Sequence, residues 1–195
     1  MSTINEAIIN TFIKRTEALV KKTTEEFGSL TAAQLNKKPA PEKWSIAQVF
    51  DHLIIYNSTY YPIYEKVATG RHHITLWQKI NPLSHLTGIF LLKVLRSDTK
   101  KVKALKSFRP SESNIPPTII NDFIQNTNIL LKYFAQIKEE DVDVNKTIVQ
   151  SPAGSIFTYT LKDSMDISVT HMERHLKQAE KVMSYELRVM SYELC

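Results

Sequence analysis

Four long stretches of this chain repeat apolar residues every three or four positions, and this periodicity decides what the chain can fold into. An apolar stripe with that spacing is typical of an amphipathic α-helix. The stretches cover residues 5–27, 46–68, 116–138 and 161–182. The chain also has only four glycines, which favours helices over a turn-rich sheet protein. The sequence therefore predicts an all-α fold.

Capping and breaking residues mark the predicted helix boundaries. Ser45 is placed to cap the second helix, Pro62 to kink it and Gly70 to end it. Pro116 and Pro117 suit the first turn of the third helix, because proline is tolerated where a helix leaves its N–H groups free. The polar stretch between the third and fourth helices is compatible with a short pair of strands.

Length and composition favour a single folded domain. The chain has 195 residues, 43% of them hydrophobic and 23% charged, which is ordinary for a folded protein with one sizeable core. We predict one domain over residues 1–183 and a tail over residues 184–195, in which the segment SYEL occurs twice. Two interpretations of the tail stay open: a helical extension, or the product of a local duplication.

No targeting or membrane-spanning segment is recognisable in the sequence. The start of the chain lacks the basic and apolar regions of a secretory signal, and the longest apolar run, LTGIFLLKVLR, is broken by Lys93. The single cysteine, Cys195, excludes an internal disulfide and a cysteine-based zinc cluster. These features predict a cytoplasmic protein that does not act at a membrane.

The formal net charge of +5 raises the question of nucleic-acid binding. The basic residues concentrate in the stretch KVLRSDTKKVKALKSFRP, which has neither a glycine-rich nor an aromatic stacking pattern. A solvated helix and loop is therefore the favoured interpretation, and we expect no nucleic-acid partner. A role for these basic residues in attracting anionic substrates is the open alternative.

Three histidines are the candidate functional residues. His171 and His175 lie four positions apart on the fourth helix, so both side chains point to one side, and His52 lies on the apolar stripe of the second helix. Burying three imidazoles costs free energy unless polar partners satisfy their nitrogens, and a metal ion satisfies them directly. Zn²⁺, Ni²⁺, Fe²⁺ and Mn²⁺ all suit such ligands, and the sequence does not choose among them.

Other polar residues near these helices are less informative. In HMERH the glutamate, Glu173, follows the first histidine by two positions, which turns it away from the ligand side; we expect a solvent-facing charge near Lys177 rather than a protease base. We expect three tyrosines of the second helix to pack in the core: Tyr56, Tyr60 and Tyr64. A role for one of them in lining a pocket is the open alternative. The histidines that stand in irregular sequence are expected at the surface: His72, His73 and His85.

Two motifs together resemble a known family. The segment KWSIAQVFDHL on the second helix and the segment HMERHLKQ far downstream are similar to those of the DinB-like (YfiT-like) family of metal-dependent proteins. The resemblance spans the chain from the first helix to about Met183. It implies a four-helix bundle with up-down-down-up topology, commonly a homodimer, with a metal near one end of the bundle.

The resemblance also implies site residues and activities. The three metal ligands of the family correspond to His52, His171 and His175, and Gln178 matches a glutamine with a packing or ligand-supporting role. Family activities include S-transfer and isomerisation that depend on low-molecular-weight thiols, and other members are regarded as hydrolases. We therefore predict a metal-dependent S-transferase or hydrolase acting on a small molecule. The alternative is a non-catalytic, metal-containing or ligand-binding dimeric bundle.

Overall fold

The computed structural model of the chain describes residues 3–73, 75–76, 81, 84–97, 106–112 and 114–193. Most of these residues are helical, and one antiparallel hairpin is also present. The helices are α1 (Thr3–Phe27), α2 (Ala32–Asn36), α3 (Ile46–Ser58), α4 (Tyr61–Ala68), α5 (Ser84–Leu95), α6 (Ile119–Glu139) and α7 (Leu161–Glu193), with a 3-10 turn at Lys106–Phe108. The hairpin pairs β1 (Ile148–Ser151) with β2 (Gly154–Thr160).

The long helices form a bundle around one apolar core. Helix α1 packs against α6 and α7, and α3 packs against the same two helices. Helix α4 continues along α6, while α5 lies over α7 and β2. The apolar stripes predicted for the second, third and fourth helices all face this core. The predicted helical bundle is thus confirmed, whereas the up-down-down-up order of its helices stays a prediction.

Ser45 begins helix α3 as predicted. Its side chain accepts a hydrogen bond from the backbone N–H of Gln48, and the Gln48 side chain accepts one from the backbone of Ser45. This reciprocal pair satisfies two N–H groups that a helix start leaves free. The left-handed backbone of Gly70, with φ of 64°, follows α4 at the predicted stop.

Two predicted boundaries differ from the structure. The helix predicted over residues 46–68 is divided, since α3 ends at Ser58 and α4 begins at Tyr61 with Pro62 in its first turn. Proline fits there because the N–H that it lacks has no partner in a first turn. Pro116 and Pro117 precede α6 rather than forming its first turn, and the helix begins at Ile119.

Helix α7 continues well beyond the predicted end of the domain. Its backbone is helical from Leu161 to Glu193, so the repeated SYEL segment extends the helix up to residue 193. Of the two interpretations of the tail, the backbone agrees with the helical extension. The domain boundary at residue 183 stays a prediction, and Cys195 lies outside the described residues.

The charged partner of Glu173 is Arg15 rather than the expected Lys177, and the Glu173 side chain keeps 34% of its surface exposed. Its carboxylate accepts two hydrogen bonds from the Arg15 guanidinium, at 2.9 and 2.8 Å, and Arg15 also donates to Asp166 at 2.9 Å. A bidentate arginine–carboxylate pair fixes orientation as well as charge. Arg15 therefore ties α1 to α7 on the outer side of α7, two positions from His171.

In the described part of the chain, no helix is long and apolar enough to cross a membrane.

The basic stretch is described only in part. Arg96 forms an ion pair with Asp166 at 2.6 Å, which anchors the end of α5 to α7. The lysines at positions 100, 101 and 103 lie outside the described residues, so the solvated-loop interpretation of this stretch stays a prediction.

Candidate metal centre

The bundle brings together the three histidines that the sequence singled out. His52 comes from α3, and His171 and His175 lie one turn apart on α7. One nitrogen of each ring lies within 4.8 Å of those of the other two. The Nε2 atoms of His52 and His171 are 3.4 Å apart. His52 and His171 are buried and His175 is half-buried, so the three side chains are close enough to hold a metal ion between them.

Hydrogen bonds at the outer nitrogens orient two of the rings. Nδ1 of His52 donates to the backbone carbonyl of Phe108, and Nδ1 of His175 donates to Oε1 of Gln178 at 2.9 Å. Both acceptors are oxygens without a proton to give, so each neutral ring carries its proton on Nδ1 and a lone pair on Nε2. Those Nε2 lone pairs are the ones available to a cation, which is the arrangement expected around a metal.

The donor set fits a divalent transition metal. Three neutral imidazoles suit Zn²⁺, Ni²⁺, Fe²⁺ or Mn²⁺, and three protein ligands leave a coordination position for a small molecule. Burial lowers the pKa of all three histidines, and for His171 and His175 the neighbouring cationic or ionisable groups lower it further. The pKa of His175 falls to about 3. The rings are therefore neutral at pH 7, so protons do not compete with a metal there.

Tyr56 covers one side of this cluster. Its ring stacks on the His171 ring with centroids 3.7 Å apart and planes 22° apart. Trp44 lies against the other two histidines, with its ring centroid 4.9 Å from that of His52 and 6.1 Å from that of His175. The aromatic side chains thus separate the histidines from bulk water on two sides.

The segment after the 3-10 turn is held over the cluster by helix α3. The carboxylate of Asp51 accepts the backbone N–H of Ser111 at 2.6 Å. Gln48 Nε2 donates to the backbone carbonyls of Ser111 and Glu112, at 2.8 and 2.9 Å. Sequence reasoning missed both roles. The only available signal was the position of Gln48, three residues after the capping serine.

Replacing Gln48 with alanine should therefore destabilise the protein more than replacing Gln34, its counterpart in the second capping box. Gln34 caps only Thr31 at an exposed helix start, and its loss should cost about 0.5–1 kcal/mol. Gln48→Ala should cost about 1 kcal/mol more, because it also removes two partly buried hydrogen bonds to the carbonyls of Ser111 and Glu112. Urea unfolding of both variants measures the difference. Equal losses would show that Gln48 acts only as a cap.

A cavity of about 1090 Å³ opens from the histidines. Its apolar wall includes Leu91, Val94 and Leu95 of α5 together with Phe108. The charged side chains in its lining are Lys38, Glu42, Lys43, Arg109, Glu112 and Arg174. With four cations against two carboxylates, the lining favours a ligand that carries negative charge as well as apolar atoms.

The family comparison agrees with this arrangement. The family model described as the DinB superfamily matches residues 15–179, which includes all three histidines, Tyr56 and Gln178. The chain belongs to the DinB superfamily. Searches among curated proteins and among solved structures found no match. Membership in the DinB superfamily and the histidine cluster are together compatible with a metal site, as the resemblance implied.

Of the histidines expected at the surface, His72 and His73 do not belong to the three-histidine cluster. His72 is half-buried and its Nε2 donates to the carbonyl of Ile148 at 2.8 Å, whereas His73 is exposed. The side chain of His85 lies outside the described residues. Ser164 and Ser168 are buried against the Tyr64 hydroxyl, at 3.1 and 2.9 Å, and so belong to the core.

Proposed function

We propose that this DinB-superfamily protein is a metal-dependent enzyme whose divalent ion is held by His52, His171 and His175. The proposal rests on one observation: one nitrogen from each of three neutral imidazoles lies within 4.8 Å of the other two at the wall of a large cavity. A purely structural cluster would not need an adjoining space for a small molecule. The metal identity among Zn²⁺, Ni²⁺, Fe²⁺ and Mn²⁺ is left to experiment.

We propose thiol-dependent S-transfer as the reaction. A divalent ion, when bound, supplies a Lewis acid that lowers the pKa of a thiol or water beside it. The residues of the chain bind and orient the substrates: Lys38, Lys43 and Arg109 attract an anionic thiol, and the α5 wall receives an apolar electrophile. The thiol sulfur forms a bond to carbon, the leaving group departs with its electron pair, and the S–H proton passes to solvent. Hydrolysis replaces the thiol with water.

Turnover by metal-loaded protein tests this proposal. We expect a small anionic thiol such as mercaptoacetate to add to an electrophilic aryl halide only in protein loaded with one of the four metals. Metal-free protein and His52→Ala protein should show no rate above the uncatalysed reaction, while His73→Ala should match wild type. Equal rates with and without metal would contradict the proposal. Ester cleavage without thiol would instead support a hydrolase.

A non-catalytic role is the second candidate, and one observation favours it. Burial raises the pKa of Tyr56 and Tyr60, the phenols beside the histidines, far above neutrality. Neither phenol can then act as a general base near pH 7. A binding protein with the same bundle would retain its metal and its ligand affinity but show no turnover in the assay above.

We also propose that the chain forms a homodimer. Helix α5 carries three large apolar side chains that are 60–62% exposed, namely Leu86, Ile89 and Phe90. Clustered apolar exposure of this kind is typical of surfaces that contact another protein. Sedimentation equilibrium of wild type against Phe90→Ser measures the association. The cytoplasmic location stays a prediction from the sequence.

A further inference from the structure

The three histidines of the cluster are not oriented in the same way. His52 and His175 each donate Nδ1–H to an oxygen, but Nδ1 of buried His171 has no hydrogen-bond partner among the described residues. Metal-binding histidines almost always use that outer nitrogen to fix the ring. Rotation of an imidazole about its broad χ2 torsion would otherwise point a carbon at the ion. The inner nitrogen, Nε2, lies 3.4 Å from Nε2 of His52, but both of these nitrogens face the proposed ion and a bound metal would replace that contact. In the metal-bound site another contact must therefore set the His171 ring.

The Tyr56 ring is the contact that can do so, since it stacks on His171 at 3.7 Å between centroids. Tyr56 is itself held at its far end. Its hydroxyl is 3.0 Å from that of Tyr60, and the Tyr60 hydroxyl is 3.2 Å from that of Tyr159. Tyr60 comes from the turn between α3 and α4, and Tyr159 from β2. The three phenols therefore connect the hairpin to the histidine cluster.

The burial of Tyr60 and Tyr159 restricts the movement of the three hydrogen-bonded phenols. Tyr60 is 2% exposed and Tyr159 is fully buried. The Tyr159 hydroxyl is held in turn by Ser151 and Ser164. Loss of the Tyr60 hydroxyl removes the partner of the Tyr56 hydroxyl, which costs more than the bond itself contributes. Small rotations of Tyr56 away from His171 are thus opposed by groups that lie outside the cluster. No hydrogen bond to His171 is needed for this effect.

We propose that Tyr60 and Tyr159 are positioning residues that hold the Tyr56 ring against His171 and so orient the third metal-binding imidazole. The part of this inference that concerns metal rests on the proposed function. Tyr159 is not part of the cavity lining, whereas Tyr60 is, so the tests measure metal affinity and the orientation of the His171 ring rather than turnover. Removal of Tyr60 or Tyr159 should therefore weaken metal binding and free the His171 ring, without changing which residues bind the metal.

The first test is Zn²⁺ affinity, measured by competition with a chromophoric chelator. Tyr60→Phe should bind Zn²⁺ about 10-fold more weakly or worse, the range found when an orienting partner of a ligand is lost. Tyr64→Phe is the matched control: it is a buried tyrosine on the same stripe, but among the described residues its hydroxyl forms hydrogen bonds with Ser164 and Ser168 and not with Tyr56. Tyr64→Phe should stay within about twofold of wild type. Tyr159→Phe provides a second variant if Tyr60→Phe does not fold.

The second test needs no metal. In metal-free protein the stacked Tyr56 ring should shift the His171 ring-proton resonances upfield, and NMR should show this shift reduced in Tyr60→Phe but kept in Tyr64→Phe. An unchanged shift in both Tyr60→Phe and Tyr159→Phe would overturn the proposal, as would unchanged Zn²⁺ affinity in both. If wild type binds no Zn²⁺, the proposed function fails, while the resonances still decide whether the phenols position His171.

Discussion

Replacing His171 with alanine is expected to abolish metal binding. Protein purified without an affinity tag should contain about one equivalent of a transition metal, and His171→Ala should contain none. The three rings form a triangle, with centroids 5.1 Å apart for His52 and His171, 4.5 Å for His171 and His175, and 4.6 Å for His52 and His175. Removal of His171 leaves two imidazoles, which hold a divalent ion far more weakly than three. Elemental analysis of the dialysed protein gives the result directly.

The variant should still fold. His171 has one buried nitrogen without a partner, so its truncation also removes a polar group that costs free energy to bury. Circular dichroism should therefore show the helix content of wild type. His52→Ala and His175→Ala should also lose the metal, whereas exposed His73→Ala should retain it. Retention of a full equivalent in His171→Ala would place the metal elsewhere and contradict the site.

The fluorescence of Trp44 offers a second measurement of metal binding at the three histidines. Its ring lies next to His52 and His175, so Ni²⁺ or Co²⁺ bound between the histidines should quench its fluorescence. The background variant Trp77→Phe leaves Trp44 as the single tryptophan of the chain. In that background, titration should end at about one equivalent, and His171→Ala should remove the quenching.

The sequence could predict the histidine cluster because helical periodicity carries the necessary information. Four positions along one helix place His171 and His175 on the same side, and the apolar stripe of the second helix turns His52 toward the core. The capping of α3 by Ser45 was predictable for the same reason, since the interaction spans only three residues. Local spacing fixes such features before any tertiary contact is known.

The contacts that support the cluster join residues far apart in the chain, and no local pattern reveals them. Gln48 reaches carbonyls more than sixty positions away, and the Tyr60 hydroxyl meets one that is 99 positions away. Arg15 of the first helix binds Glu173, which is 158 positions away. Each of these depends on which helices become neighbours, and a single sequence does not encode that choice in its periodicity.

The second large effect concerns pH: metal-free protein should lose stability as the pH falls below about 6.5. Folding keeps His171 and His175 neutral because burial lowers their pKa values, well below the ordinary value for His171 and to about 3 for His175. In the unfolded chain both take up protons near pH 6.5. The unfolded state then binds more protons than the folded state, so the free energy of unfolding decreases with decreasing pH.

The size of this loss follows from the proton uptake. Between pH 7.5 and pH 5, one group that stays neutral in the folded state costs about 2 kcal/mol, so His171 and His175 together should cost about 4 kcal/mol. Urea unfolding in the presence of a chelator, repeated across this range, measures it. His175→Gln should reduce the loss by about 2 kcal/mol, whereas exposed His73→Gln should leave it unchanged. A flat pH profile in wild type would mean that the imidazoles are protonated inside the bundle, and protonated rings could not bind a metal at that pH.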